Sequence, residues 1–168
     1  MTYANGRIYF DADSHIMELP DFLTAHADAD VAARLPAMSF SAGGKLQRAL
    51  ERLNRTRAHA PAVVAELVGL GDGLIAGPKG YEALGAFNPA ERSQALDLLG
   101  FERQLVFATF SGAVCFADRG DAELIYAACR AHNRGMAEFC RRDGRLVGVA
   151  AINLDDPARA VAELDLAL

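Results

Sequence analysis

Residues 8–15 read IYFDADSH, and they begin with the first predicted strand of the chain. Three apolar or aromatic residues at 8–10 form the strand, and polar side chains follow at its carboxyl end. Side chains of an extended chain alternate between two faces, so Asp11, Asp13 and His15 are predicted to point the same way. Two carboxylates and an imidazole on one side can together bind a divalent cation. The competing interpretation is that the aspartates cap the next element and His15 packs in the interior.

Two further apolar runs predict strands at 105–110 and 146–152. All three runs are close to continuously apolar, which is typical of parallel strands covered on both faces. Helical patterns alternate with these runs along the chain. That alternation predicts an α/β fold with right-handed crossovers and a parallel sheet.

Three helices carry boundary signals. Asn88 and Pro89 predict an N-cap followed by proline at the first helical position, with Glu91 in the capping-box place and Gly100 as the stop. A second helix is predicted from about 121 to 142, with His132 as a hydrogen-bonded core residue. A third starts at 156–157, and its predicted apolar stripe comprises Ala160, Val161, Leu164 and Leu168.

Between the first strand and its helix lies a long insertion, roughly residues 18–87. It contains a helical pattern around Leu46, Leu50 and Leu53 and a glycine-rich run, and such an insertion typically builds a lid or a substrate wall. The pattern of the third helix continues to Leu168, with no fourth strand, and three parallel strands have two unpaired edges. We therefore expect a single domain, 1–168, that is the amino-terminal part of a larger barrel or needs a partner to complete it.

Composition excludes several classes of protein. The 168 residues are 52% hydrophobic and 23% charged, with a net charge of -5, which argues against binding nucleic acid or an anionic membrane. No apolar run approaches the roughly 20 residues of a membrane span, and the start lacks signal-peptide features, so a cytoplasmic location is expected. Cys115, Cys129 and Cys140 are odd in number and widely spaced, which predicts buried thiols rather than disulfides or a zinc knuckle.

Three stretches together resemble the amidohydrolase-related family, the metal-dependent barrels that include aminocarboxymuconate-semialdehyde decarboxylase and resorcylate decarboxylases. They are 9–18 (YFDADSHIME), 96–107 (LDLLGFERQLVF) and 131–140 (AHNRGMAEFC) followed by Arg145 and Leu146. The resemblance covers most of the chain apart from the insertion. It implies the amino-terminal part of a (β/α)8 TIM barrel of the metal-dependent hydrolase type.

The family's opening His-x-His ligand pair falls on Asp13 and His15 of this chain. The resemblance thus implies a divalent metal, Zn²⁺ first and Mn²⁺ or Fe²⁺ as alternatives, and the aspartate favours a harder ion than a second histidine would. Asp11 and Glu18 are expected to support the ligands or touch the substrate, although Glu18 also suits a helix start. The remaining ligands and the general base of the family would lie beyond Leu168.

The implied function is a metal-dependent hydrolase acting on a small amide, ester, lactone or carboxylate. The alternatives are a non-oxidative decarboxylase of the same family and a truncated, non-catalytic binding or assembly module. The expected partner is a small-molecule substrate, with neither nucleic acid nor membrane. A homo-oligomer or a missing carboxyl-terminal half would complete the barrel.

Overall fold

The described residues form a parallel sheet of three strands, in the order β1-β2-β3. The strands are β1 (Phe10–Ile16), β2 (Arg103–Ala108) and β3 (Leu146–Gly148). The structure is a computed structural model that describes residues 2–35, 38, 44–117 and 120–167, without the side chains of 44–47. Neighbouring strands are parallel in both pairings, so the predicted α/β class with a parallel sheet is confirmed.

The strand boundaries differ from those predicted at 8–10, 105–110 and 146–152. β1 begins at Phe10 and continues to Ile16, because it pairs with β2 from Arg103 to Ala108, so the polar motif lies within the strand and not after it. β3 ends early, at Gly148. Just beyond it, the Asn133 amide accepts the N–H of Ala151 (2.8 Å) and donates to its carbonyl (3.1 Å). The strand ends are therefore determined by where each strand has a pairing partner, and hydrophobicity alone does not predict them.

Helices cover one face of the sheet. Helix α5 spans Pro89–Leu99 and helix α7 spans Ala122–Cys140, and their inner residues are buried with Val106 of β2. On the opposite face Phe10 is 65% exposed, Leu105 41% and Val147 38%. The prediction of strands covered on both faces is therefore wrong for the part of the chain described.

The predicted N-cap and stop of α5 are confirmed, and α7 begins where it was predicted to begin. The Asn88 side chain accepts the N–H groups of Ala90 and Glu91, and Gly100 ends α5 in the left-handed region with φ of 74°. Asp121 caps α7 by accepting the N–H of Leu124. These contacts satisfy backbone groups that a helix end leaves unpaired.

Helix α8 spans Pro157–Ala167, as its start signal predicts, but its buried side differs from the predicted stripe. Ala160 and Glu163 are buried, whereas Val161 and Leu164 are exposed. Glu163 faces inward because Arg130 and Asn133 of α7 donate hydrogen bonds to its carboxylate. Leu168, the last residue of the predicted stripe, lies outside the described residues.

The insertion folds into short helices, which confirms its predicted helical content. Leu50 and Leu53 of the predicted pattern are buried; the side chain of Leu46 is not described. The elements are α1 (Phe22–His26), α2 (Ala29–Ala32), α3 (Gly44–Thr56), α4 (Pro61–Gly69) and two 3₁₀ turns (Gly71–Ala76 and Gly80–Glu82), and a further short helix, α6 (Ser111–Cys115), lies between β2 and α7.

A buried ion pair fastens the insertion to α5. The Glu91 carboxylate accepts the backbone N–H of His59 (2.9 Å) and lies 2.6 Å from its Nδ1, so Glu91 does not close the predicted capping box. The other ring nitrogen, Nε2, lies 2.8 Å from the carbonyl of Tyr81. Because both ring nitrogens face acceptors, both carry protons, and His59 is an imidazolium.

His59 and Glu91 shift each other's pKa toward the charged form. The hydrogen bond with Glu91 raises the pKa of His59 above its ordinary value. Burial pushes the pKa of Glu91 upward, but its hydrogen bonds with His59 and the charge of that ring outweigh burial and lower the pKa overall. Both side chains are less than a tenth exposed, so this pair is part of the packed interior.

The three cysteines are buried free thiols, as predicted. His132 is buried, with its Nδ1 2.8 Å from Ser111 Oγ and its Nε2 3.2 Å from the carbonyl of Val149, which confirms its prediction as a hydrogen-bonded core residue. Burial lowers the pKa of His132. Among the described residues, no helix has both the length and the apolar character needed to cross a membrane.

Candidate metal centre

Asp13 and His15 lie side by side toward the carboxyl end of β1. Oδ1 of Asp13 is 3.2 Å from Nε2 of His15. The Asp13 side chain is 91% exposed and the His15 side chain 43% exposed, so both are open to the same space. The predicted pairing of these two side chains is therefore present in the fold.

The His15 ring is oriented by β2 and the residue that follows it. Phe107 stacks on the ring, with centroids 5.6 Å apart, and Thr109 Oγ1 lies 3.4 Å from Nδ1. The Thr109 hydroxyl donates its proton to the carbonyl of Ile16 at 2.6 Å. Thr109 can then only accept a hydrogen bond from His15, which assigns the ring proton to Nδ1 and leaves Nε2 toward Asp13.

This arrangement fits two ligands of a cation. A carboxylate oxygen of Asp13 and the Nε2 lone pair of His15 are both donor atoms that a divalent cation accepts, and they face each other here. Nitrogen and oxygen ligands about 2.1 Å from one zinc ion lie roughly 3.0–3.4 Å apart, which brackets the 3.2 Å separation of Nε2 and Oδ1. Ligand histidines also usually donate their second ring N–H, and Thr109 Oγ1 lies 3.4 Å from Nδ1 of His15, where it can accept that proton.

The described part of the chain supplies two such ligands and not three. No group of three or more histidine, cysteine, aspartate or glutamate side chains within residues 2–35, 38, 44–117 and 120–167 is arranged to hold a metal ion. An ion at Asp13 and His15 would therefore complete its coordination with water, with substrate or with groups from elsewhere.

Asp11 does not share the face of Asp13 and His15. A β-bulge between Asp11 and Ser14 inserts one extra residue in β1, which reverses the side-chain alternation. Asp11 pairs with Gln104, whose amide donates to Oδ2 at 3.0 Å, and the N–H of Asp13 donates to Oδ1 at 3.1 Å. The prediction of three side chains on one face is thus wrong for Asp11, which stabilises the bulge.

Glu18 is 1% exposed and binds backbone, not the Asp13–His15 pair. Its carboxylate accepts the N–H groups of Thr109 (2.9 Å), Phe110 (2.9 Å) and Ser111 (2.7 Å). The sequence predicts that Glu18 supports the metal ligands, contacts substrate or lies at a helix start. In the structure its carboxylate instead holds the loop after β2. Because that loop carries Thr109, Glu18 also fixes the residue that orients His15.

Arg92 is a supporting residue that the sequence reasoning missed. Its guanidinium, on the inner side of α5, donates to the carbonyl of His15 (2.6 Å), to Ser14 Oγ (2.8 Å) and to the carbonyl of Gly85 (2.8 Å). Burial lowers its pKa to about 10. The available signal was its spacing, since Arg92 precedes the buried Ala95 by three residues.

Gly85 permits this contact between the end of the insertion and α5. Its φ is +74°, and a Cβ there would lie 2.3 Å from the Cα of Arg92. A side chain is therefore excluded both by conformation and by space.

No known family model matches this chain, and no curated protein matches it.

Proposed function

We propose that Asp13 and His15 are two ligands of a divalent metal ion in a metal-dependent hydrolase of the amidohydrolase-related type, acting on a small organic substrate. The observation that carries the proposal is the 3.2 Å approach of Oδ1 and Nε2 toward the carboxyl end of a parallel strand, with Nδ1 oriented by Thr109. The resemblance of residues 9–18 to the opening motif of that family supports the same two residues.

When bound, an ion such as Zn²⁺, with Mn²⁺ and Fe²⁺ as alternatives, supplies Lewis acidity and lowers the pKa of a coordinated water. The chain's own residues prepare that position. Thr109 holds the proton on Nδ1 of His15, Phe107 fixes the plane of the ring, and the exposed Asp13 carboxylate contributes negative charge. Arg92 and Glu18 keep the ends of the two strands in place.

The proposed architecture is the amino-terminal part of a (β/α)8 barrel. Three parallel strands in sequential order, with helices on one face, are what consecutive βα units of such a barrel provide. The open, apolar face with Phe10, Leu105 and Val147 corresponds in this proposal to the barrel interior. Further strands, from the same protein or from a partner copy, would cover it.

A second candidate is a non-catalytic binding or assembly module. It is favoured by the finding that the described residues offer two metal ligands and no third.

A non-oxidative decarboxylase would use the same Asp13–His15 pair, with the ion holding a substrate carboxylate. Release of carbon dioxide from model carboxylates would distinguish this activity from hydrolysis.

Metal titration tests the proposal. We expect Asp13→Ala and His15→Ala each to weaken Zn²⁺ or Mn²⁺ binding about 100-fold in isothermal calorimetry, because each removes one of two protein ligands. The matched control is Asp165→Ala, which removes an exposed carboxylate of α8 and is expected to leave the affinity unchanged. Equal, tight binding by all three variants would reject the site.

Thr109 provides a sharper readout of ring orientation. Thr109→Ala is expected to weaken metal binding about tenfold, and Thr109→Ser, which keeps the hydroxyl, is expected to restore it. Loss of affinity in both variants to the same extent would show that the methyl group and not the hydroxyl matters.

A further inference from the structure

A cleft of about 860 Å³ lies on the helix-covered side of the sheet. It is bounded by the end of β1, by α1, by the N-terminus of α5 and by the C-terminal half of α7. Its volume is within the range of small-molecule sites, about 300–1,000 Å³. The two proposed metal ligands do not line this space.

The floor of the cleft is apolar and firmly packed. Ile16, Leu19, Phe22 and Phe139 line it, and each is less than a tenth exposed. Phe22 lies directly against Gly135, where an added Cβ would be 2.5 Å from the ring. The floor is therefore a preformed aromatic and aliphatic surface.

Two arginines on the rim of the cleft have no ion-pair partner within the described part of the chain. Arg141 and Arg142 line the cleft and are exposed, and neither has a carboxylate within ion-pair distance among the described residues. The third arginine of the rim, Arg57, is paired with Asp21. Glu138, which also lines the cleft, is 3.3 Å from His26.

This local charge contrasts with the rest of the molecule. The whole chain has a net charge of -5, yet the lining of the cleft contains three arginines, Arg57, Arg141 and Arg142, and two glutamates, Glu18 and Glu138. The Glu18 carboxylate is buried and accepts three backbone N–H groups, so Glu138 is the exposed carboxylate of the lining. The N-terminus of α5, at Asn88 and Pro89, adds the positive end of a helix dipole to the same wall. A position at the C-terminus of α7 suits arginine by itself, but it does not account for the apolar cleft beside it.

From these features we infer a ligand site: the cleft binds a small organic anion, with its acidic group at Arg141 and Arg142 and a ring-sized apolar body on Phe22 and Phe139. Arginine donors recognise a carboxylate through charge-assisted hydrogen bonds, and buried aromatic rings favour a flat apolar body. Neither the two arginines nor the aromatic floor alone selects this class of ligand, but together they favour an anion that also has an apolar body.

Binding is tested with a matched pair of probes on the full chain, by NMR titration of backbone amides. Naphthoate is expected to perturb the amides of Ile16, Gly135 and Phe139, and the uncharged naphthamide to bind about tenfold more weakly. Inorganic phosphate alone is expected to produce no perturbation at those amides. Equal affinities for naphthoate and naphthamide, or no perturbation by either at millimolar concentration, would overturn the proposal.

Two variants separate the parts of the site. Arg141→Gln with Arg142→Gln is expected to lower naphthoate affinity about tenfold and to leave naphthamide unchanged, whereas Ala25→Phe fills the cleft from α1 and is expected to weaken both. The control is Arg48→Gln with Arg103→Gln, which removes two exposed arginines outside the cleft and is expected to change neither. An equal loss in the control variant would show non-specific attraction and contradict the site.

Discussion

Replacing Glu91 by Gln is expected to lower the free energy of unfolding by about 3 kcal/mol between pH 4.5 and 6.5. The variant leaves the His59 imidazolium buried between a neutral amide and the Tyr81 carbonyl, without its counter-charge. A buried charge that loses its partner keeps its desolvation cost and loses the attraction that offset it. Urea denaturation of both proteins across pH measures the difference.

The pH window follows from the two pKa directions. The pKa of His59 is raised in the folded state, so its contribution is complete below the ordinary value of 6.5 and is lost as pH rises through the folded pKa. The pKa of Glu91 is lowered in the folded state, so its contribution is complete above the ordinary value of 4.5 and is lost as pH falls through the folded pKa. The wild-type advantage over Glu91→Gln is thus greatest between these limits and narrows on either side.

The chain contains a matched control of the same chemistry on its surface. Glu138 lies 3.3 Å from His26, but its side chain is 65% exposed. Glu138→Gln is expected to change the free energy of unfolding by about 0.5 kcal/mol or less, because solvent screens an exposed pair. A difference between wild type and Glu91→Gln that is constant with pH, or no larger than that of Glu138→Gln, would contradict the assigned role of the buried pair.

Replacing Glu18 by Ala is expected to destabilise the fold by about 3 kcal/mol, because the change leaves three backbone N–H groups without their shared acceptor and removes a buried side chain. Glu18→Gln is expected to cost about 2 kcal/mol, since its amide retains one oxygen but places an NH₂ group against an N–H donor. Denaturant unfolding gives the size of each effect.

Hydrogen exchange shows where the effect of Glu18 is located. The amides of Thr109, Phe110 and Ser111 are expected to exchange faster in both variants, beyond the change in global stability. Glu102→Ala, which removes an exposed carboxylate just before β2, serves as the control and is expected to leave these amides protected. Unchanged exchange at 109–111 in Glu18→Ala would show that the loop is held by other contacts.

Local chemistry explains which parts of the fold could be predicted. Asn88 and Gly100 mark the two ends of α5 because a cap is made within a few residues of the helix it closes. The buried face of α7 follows from spacing, since residues three and four apart lie on one side of a helix. Asp13 and His15 are likewise two residues apart in a strand, so their side chains lie on the same face.

Long-range contacts explain the rest. Asp11 left its predicted face because β1 pairs with β2 through a bulge, and the register depends on a strand about 90 residues away. The partners of three buried side chains also lie in distant segments. Glu18 binds the N–H groups of Thr109–Ser111, and Arg92 binds Ser14 and His15. His59 pairs with Glu91. Such partners are chosen by which surfaces meet in three dimensions, and no spacing in the chain records them.

The sequence by itself indicated both ends of α5, the starts of α7 and α8, and the proximity of Asp13 to His15, because these depend on residues close together in the chain. It also indicated the α/β class, because strand and helix patterns alternate along the chain. The tertiary structure alone decided the strand limits, the open face of the sheet and the buried charges that fasten strand ends and insertion. Burying a charge is favourable only when a partner is already in position, and that position exists only once the chain has folded.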